Sequence, residues 1–175
     1  LNIFNDLRIL IPNLLLIVAP RHMNRIGRVN SMAIKHGFNP ELFSKTDSLS
    51  ADKNTLIIDK MGLLPSIYCC SHLAFVGGSL VPLGGHNMLE GVRAGCPIIM
   101  GPFIENIEDI VRDFEENGGM SIVKDSSALK NEIKRLMLDS SLRSQMKMAA
   151  NAILESNKGS LKTTELGIVK EINRK

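Results

Sequence analysis

The sequence predicts an α/β protein built on a doubly wound parallel sheet, with helices on both faces of the sheet. Three observations support this class. Short continuous apolar runs alternate with longer segments of helical periodicity, which is typical of strands buried on both sides. The 175 residues suit one domain, and a hydrophobic content of 44% is enough for its core. No repeat, low-complexity segment or linker divides the chain, so we expect a single domain over residues 1–175.

The strands are predicted from apolar runs bounded by polar, proline or glycine residues. The first run, LLLIVA at residues 14–19, has no polar alternation, so we expect a fully buried strand. TLIID at residues 55–59 and PIIM at residues 97–100 have the same character. Shorter candidates complete the set: residues 42–43, 73–76 and 120–124.

The helices are predicted from apolar residues at helical spacing and from start and stop signals. Pro12 ends the first helix, and Gly37 and Gly95 end two later ones. Ser126 or Ser127 is expected to cap another. The predicted helices are residues 3–11, 26–36, 63–70, 86–94, 104–117, 126–138, 142–155 and 161–172.

Composition argues against several classes of function. The net charge of +3 is mild and dispersed, which argues against a nucleic-acid partner. No apolar run is long enough to span a bilayer, and no signal peptide is recognisable. Cys69, Cys70 and Cys96 are odd in number and lack a CxxC spacing, so we expect reduced, buried thiols in a cytosolic compartment. No cluster has metal-ligand spacing, so neither metal nor cofactor is expected.

Four loops follow strands of the predicted sheet and are polar or rich in glycine. They are PRH after residues 14–19, DKMG after the TLII run, GGSLVPLGGHN after residues 73–76, and GPFIEN after residues 98–100. Ligands of parallel α/β sheets bind at the carboxyl ends of the strands. The convergence of these loops on one edge therefore predicts a ligand site there.

The third of these loops contains two glycine pairs, Gly77–Gly78 and Gly84–Gly85. Glycine lets an anion approach backbone N–H groups, and a helix beginning near His86 would favour a phosphate at its start. The spacing matches neither GxGxxG nor GxxxxGKS, and a plain turn is the alternative. Ser79 lies outside any nucleophile elbow and has no obvious base.

Four side chains near these loops are candidates for ligand contacts. Glu90 shares a predicted helix face with His86 and Asn87, where its carboxylate could accept bonds from two sugar hydroxyls. The alternatives are that Glu90 only offsets the helix dipole and that Asn87 is a local cap. Arg21 follows a strand end, where a guanidinium can hold a phosphate or carboxylate; a solvated surface arginine is the alternative.

Four motifs, in the order APRHMNR, DKMGLLPSIY, FVGGSLVPLGGHNMLE and GPFIENIEDI, resemble the carboxyl-terminal half of the 3-deoxy-D-manno-octulosonic acid (Kdo) transferases. These glycosyltransferases move Kdo from CMP-Kdo to lipid A precursor in lipopolysaccharide biosynthesis. The resemblance covers nearly the whole chain. It implies a GT-B fold, of which this chain is the Rossmann-like carboxyl-terminal domain lacking its first strand, with CMP-Kdo as the donor.

The resemblance also implies the residues of a donor site. Arg21 and His22 lie in the PRH motif on the donor phosphate side, although a solvated loop histidine is the alternative for His22. Met61 and Gly62 belong to the loop near the cytosine. The remaining residues form the first glycine turn, the phosphate and sugar turn, and the acidic contact to the ribose: Gly78, Ser79, Gly85, His86, Asn87 and Glu90.

Three positions depart from the family pattern. Leu83 replaces an arginine, which predicts weaker contact with an anionic donor or acceptor. Met88 and Gly91 replace prolines, and a glycine within a predicted helix lowers local stability.

The resemblance places the acceptor site, the membrane-facing surface and a catalytic acidic residue on an amino-terminal domain. No catalytic residue is therefore expected in this chain, which alone should be inactive. Residues 159–175 are expected to form a terminal helix that crosses toward that domain. The implied acceptor is lipid A precursor at the cytoplasmic face of the bacterial inner membrane, the fragment itself being cytoplasmic. Two alternatives stay open: a GT-B transferase that uses a UDP-sugar, and a non-catalytic remnant that docks onto a separately encoded amino-terminal half.

Overall fold

The computed structural model describes residues 2–105 and 107–172. The chain divides into two compact units, Leu1–Ile67 and Tyr68–Lys175. Within the described residues, each unit contains a three-stranded parallel sheet. Parallel strands that alternate with helices agree with the predicted α/β class. The strands pair as two sheets, however, whereas the sequence predicts one.

The first unit places a short sheet beside two helices. Its elements are α1 (Asn2–Leu10), β1 (Leu16–Val18), α2 (Ile26–Lys35), β2 (Pro40–Leu42) and β3 (Thr55–Ile57). Strand β3 lies between β1 and β2, and Val18 is opposite Ile57. All three residues of β1 are half-buried, so the predicted full burial is wrong. The physical reason is that β1 is an edge strand of this sheet.

The second unit is organised around a buried central strand. Helix α3 (Leu64–Cys70) begins before the boundary, and the elements that follow are β4 (Ala74–Phe75), α4 (Leu89–Arg93), β5 (Ile98–Met100), α5 (Glu108–Glu116), β6 (Ser121–Ile122), α6 (Ser126–Leu138) and α7 (Ser140–Ile172). β5 pairs with both β4 and β6, and its three residues are fully buried. Phe114 and Met88 are among the buried side chains of the surrounding apolar cluster.

Three predicted helix boundaries are wrong. The helix predicted from His86 begins only at Leu89, and the one predicted from Ile104 begins at Glu108. The two helices predicted at residues 142–155 and 161–172 form one continuous helix, α7. Residues 173–175 of the predicted terminal helix lie outside the described residues.

The cap predicted for α6 is also wrong by one residue. Asp125, rather than Ser126 or Ser127, occupies the N-cap position. Its carboxylate accepts a hydrogen bond of 2.8 Å from the Ala128 backbone N–H, which satisfies a donor of the first helical turn.

The three cysteines are free thiols in different environments. Cys96 is buried in the second unit, whereas Cys69 and Cys70 are exposed, so the predicted burial of all three is wrong for these two. Both exposed cysteines lie at the end of α3, which buries none of its residues. Burial raises the pKa of the Cys96 thiol to about 11, because the interior disfavours a thiolate.

This pKa predicts how Cys96 affects stability in alkali. Because the folded-state pKa is raised above its ordinary value of 9.0, the thiol's contribution is complete below pH 9.0 and is lost as the pH rises toward about 11. We expect the difference in unfolding free energy between the wild type and Cys96→Ala to shrink across this window. Urea unfolding at several pH values measures this difference, and a constant difference would contradict the assignment.

Candidate functional site

The first glycine pair is packed against the ring of His86. Gly78 has a φ of +81°, a left-handed conformation that favours glycine. A Cβ on Gly78 would lie 2.9 Å from Nδ1 of His86 and 3.0 Å from its Cε1. Nδ1 donates a hydrogen bond of 2.7 Å to the Gly77 carbonyl, since a carbonyl oxygen can only accept. The glycine turn and His86 therefore form one closely packed feature.

The second glycine pair approaches the loop that follows β5. Gly84 and Gly85 have φ values of +78° and +55°. A Cβ on Gly85 would lie 3.0 Å from the Phe103 carbonyl oxygen and 3.2 Å from the Met100 side chain. Only glycine fits this close approach without displacing a neighbour. The loops after β4 and β5 thus meet, as the sequence predicts for neighbouring parallel strands.

Ser79 is fully buried at the centre of these turns. Its hydroxyl donates a hydrogen bond of 2.7 Å to the Val76 carbonyl and accepts one of 2.7 Å from the Gly101 N–H. The Ser79 carbonyl accepts a further bond of 3.0 Å from the Phe103 N–H. The predicted donor-site residue is therefore engaged with the protein's own backbone.

His86, Asn87 and Glu90 do not share a helix face as the sequence predicts, because α4 begins only at Leu89. The Asn87 side-chain oxygen accepts a hydrogen bond of 2.9 Å from the Leu89 N–H, although Met88 is the N-cap residue of α4. Glu90 is exposed in the first turn of α4. Its carboxylate is thereby accessible to a ligand.

The departures from the family pattern have different structural settings. Leu83 is 74% exposed at the tip of the loop after β4, whereas Met88 is buried in the core. Gly91 is also buried, and a Cβ there would lie 2.5 Å from Cδ1 of Ile98 and 3.1 Å from the Tyr68 ring. Gly91 therefore permits this packing, a reason that helix propensity alone did not reveal.

The other four predicted residues belong to the first unit. Arg21 and His22 are exposed in the loop after β1. Met61 is 77% exposed, and Gly62 has a φ of +80° in the turn after β3. Because β1 and β3 are parallel neighbours, these two loops follow the same edge of their sheet. Each unit thus brings its own predicted residues together, and the meeting of all four loops stays a prediction.

Several residues that hold these loops in place are not among the predicted site residues. Gly101 and Phe103 bind Ser79 through their backbones, and the only sequence signal was the GPF turn after a strand. In the first unit, Asp59 accepts a hydrogen bond of 2.8 Å from the Ser44 N–H. Hydrogen bonding, led by the Ser44 hydroxyl, lowers the pKa of the Asp59 carboxyl and holds the loop after β3.

The described residues contain a groove away from the glycine turns that can be compared with the predicted site, and they contain neither a metal-binding cluster nor a membrane-spanning helix. A groove of about 660 Å³ lies beside β6 and α6 and contains none of the predicted site residues. Across residues 2–105 and 107–172, no group of three or more His, Cys, Asp or Glu side chains is arranged to hold a metal. In the same residues, no helix has the length and apolar character to cross a membrane.

Comparison with known proteins identifies relatives over most of the chain. A bifunctional glycosyltransferase/methyltransferase of Fusobacterium nucleatum is 30% identical over 141 residues, which are 75% of this chain and 21% of that protein. A 3-deoxy-D-manno-octulosonic acid transferase of Haemophilus influenzae is 34% identical over 153 residues, which are 86% of this chain and 35% of that protein. The chain thus spans between a fifth and about a third of the length of these relatives. No protein-family model matches the chain.

The fold has a solved counterpart. The crystal structure of the C-terminal CMP-Kdo binding domain of WaaA from Acinetobacter baumannii is similar with a TM-score of 0.82 and 27% identity. The similarity covers 87% of this chain and 80% of that chain. The predicted Rossmann-like class is therefore confirmed.

These findings define the class of protein first: the chain is a Rossmann-like α/β domain whose fold is similar to that of a CMP-Kdo binding domain. Within that class it is homologous, over most of its length, to the 3-deoxy-D-manno-octulosonic acid (Kdo) transferases. The resemblance carried by the four sequence motifs is confirmed.

Proposed function

We propose that this chain is the donor-binding domain of a Kdo transferase and that its ligand is CMP-Kdo. The observation that carries the proposal is the similarity to a CMP-Kdo binding domain, with a TM-score of 0.82 and 27% identity. The glycine turns give this similarity a chemical basis, because their left-handed conformations can direct backbone N–H groups toward an anion.

The donor phosphate would lie against the glycine turns. The sequence predicts that a helix starting near His86 would favour the phosphate, but α4 has only five residues and begins at Leu89. Support for phosphate binding therefore comes from the turns at Gly78 and Gly85, because successive backbone N–H groups in turns with left-handed residues can form an anion-binding concavity. The resemblance implies that Arg21 would add positive charge at the donor phosphate and that Arg21 and His22 would both offer hydrogen-bond donors. Met61 and Gly62 would line the cytosine.

In the whole enzyme, an acceptor hydroxyl on lipid A precursor would attack the anomeric carbon of Kdo, and CMP would leave. The glycine turns and Arg21 would stabilise the charge that builds on the departing phosphate. The acceptor site and the acid–base residue would come from an amino-terminal domain, in a GT-B enzyme at the cytoplasmic face of the inner membrane. No cofactor is needed for this displacement.

Calorimetric titration with CMP and with UDP tests the proposal. We expect the chain to bind CMP more tightly than UDP or NAD. Equal or tighter binding of UDP would contradict the cytidine assignment and would favour a UDP-sugar transferase. Binding of neither nucleotide would favour the non-catalytic remnant.

Replacing Glu90 by alanine tests the ribose contact. If the carboxylate holds two ribose hydroxyls, CMP binding should weaken by about 1.5–3 kcal/mol, the range for hydrogen bonds to charged groups. The melting temperature should change little, because Glu90 is exposed. Glu116→Ala is the matched control, since it removes an exposed carboxylate from α5 of the same unit. Unaltered affinity with a lowered melting temperature would show a dipole role instead.

A further inference from the structure

The hydroxyl and the backbone carbonyl of Ser79 together take part in three hydrogen bonds. Its hydroxyl uses its single proton on the Val76 carbonyl and accepts the Gly101 N–H, both at 2.7 Å. Its own carbonyl accepts the Phe103 N–H. The side chain is completely buried. These bonds join the end of β4 to the loop that follows β5.

Close packing reinforces the same connection. A Cβ on Gly101 would lie 2.2 Å from the Ser79 carbonyl oxygen, so the two backbones are in direct contact. On the other side, a Cβ on Gly85 would lie 3.0 Å from the Phe103 carbonyl oxygen and 3.8 Å from Cβ of Ser79. We call Ser79, Gly85, Gly101 and Phe103 the Ser79 junction.

We propose that Ser79 is a positioning residue of the donor site, which acts through the backbone and does not touch the ligand. The inference rests on the proposed function. The single proton of the Ser79 hydroxyl is already donated to a backbone carbonyl, and the side chain is enclosed by protein. The hydroxyl therefore cannot donate a hydrogen bond to a phosphate. The hydroxyl instead fixes the separation between the glycine turns and the loop after β5. Preorganised backbone groups bind more tightly because less ordering is needed when the ligand arrives.

Removal of the hydroxyl has a defined structural consequence. In Ser79→Ala, the buried N–H of Gly101 loses its acceptor, and a buried donor without a partner is costly. The two hydrogen bonds of the Ser79 hydroxyl reach Val76 and Gly101, and neither residue belongs to α5 or α6. The turns should therefore loosen locally while the helices α5 and α6 keep their structure.

The test compares Ser79→Ala with a matched serine in the same unit. Ser121→Ala removes a hydroxyl that donates 2.6 Å to the Glu132 carboxylate, away from the glycine turns. Two quantities are measured on each full-length variant, at a temperature where all are folded: amide hydrogen exchange by NMR, without ligand, and CMP affinity by calorimetry.

For Ser79→Ala we expect exchange of the Gly101 and Phe103 amides to accelerate about tenfold or more and CMP affinity to fall about tenfold, the equivalent of one lost hydrogen bond. Amides of α5 and α6 should exchange at the wild-type rate. Ser121→Ala should leave both the Gly101 exchange rate and the CMP affinity unchanged.

Each contrary result overturns the proposal in a different way. Unchanged exchange at Gly101 would show that the hydroxyl does not hold the loop. Faster exchange throughout the second unit would make Ser79 a general stabilising residue. Weaker CMP binding without faster exchange would make it a direct ligand contact. If the wild type binds no CMP, the proposed function fails and, with it, the donor-site role of Ser79, whereas the exchange data alone still decide whether Ser79 holds the loop.

Discussion

Replacing Gly101 by alanine is expected to lower the free energy of unfolding by about 3 kcal/mol, the upper end of the usual cost of overpacking. The new Cβ would lie 2.2 Å from the Ser79 carbonyl oxygen, 2.4 Å from its carbonyl carbon and 2.7 Å from the Leu80 nitrogen. All three atoms are backbone, so no side chain can rotate out of the way. The loop after β5 must move, and the Gly101–Ser79 hydrogen bond would be lost with it.

Urea unfolding followed by far-ultraviolet circular dichroism measures this effect. Gly77→Ala is the matched control, because Gly77 lies in the neighbouring turn and its Cβ would meet no atom within 4 Å. The control should change stability by no more than about 0.5 kcal/mol, as expected for an exposed site. Equal midpoints for Gly101→Ala and the wild type would mean that the loop yields without cost, and would contradict the tight junction.

The strands were predictable because their sequence signal is local. Residues 55–57 and 98–100 are runs of Leu, Ile, Thr and Met without polar alternation, and both are strands. The pairing of strands, in contrast, has no local sequence signal. Which strand lies at an edge depends on contacts between distant segments, so the half-burial of β1 had no signature within LLLIVA.

The predicted helix boundaries are wrong where tertiary contacts outweigh the local sequence pattern. His86 has helical spacing to Glu90, but its ring donates a hydrogen bond to the Gly77 carbonyl, and α4 begins only at Leu89. Helix α7, in contrast, is longer than the sequence predicts, because it continues through Gly159. A single glycine costs a helix only about 1 kcal/mol relative to alanine, so it is a weak stop signal within a long helix.

The candidate site shows the same contrast between local turns, which the sequence predicts, and contacts between distant residues, which it does not. Glycine pairs after a strand indicated turns, and Gly78 and Gly85 do have left-handed conformations. What the sequence could not reveal is which atoms require them. The partner of Ser79 is 22 residues away, and no motif links serine to Gly101. The resemblance implies Ser79 as a residue of the donor site, but only three-dimensional packing shows that its hydroxyl bonds to Val76 and Gly101.

Replacing Gly78 by alanine is expected to lower CMP affinity at least tenfold and to destabilise the fold by about 2–3 kcal/mol, through backbone strain and a clash that add together. The left-handed φ of +81° alone costs an L-residue about 1–2 kcal/mol. In addition, the Cβ would lie 2.9 Å from Nδ1 of His86. The ring must swing away, which breaks its bond to the Gly77 carbonyl and removes support from the glycine turn.

Gly118→Ala separates these two contributions. Gly118 has a similar φ of +72° in the same unit, but a Cβ there would meet nothing within 4 Å. It should therefore show the strain alone, about 1–2 kcal/mol, and bind CMP like the wild type. Urea unfolding and calorimetry on both variants provide the comparison. The excess loss of stability in Gly78→Ala measures the contact with His86, and the loss of affinity measures its importance to the site. Equal destabilisation of the two variants, with CMP affinity unchanged in both, would show that His86 does not shape the donor site.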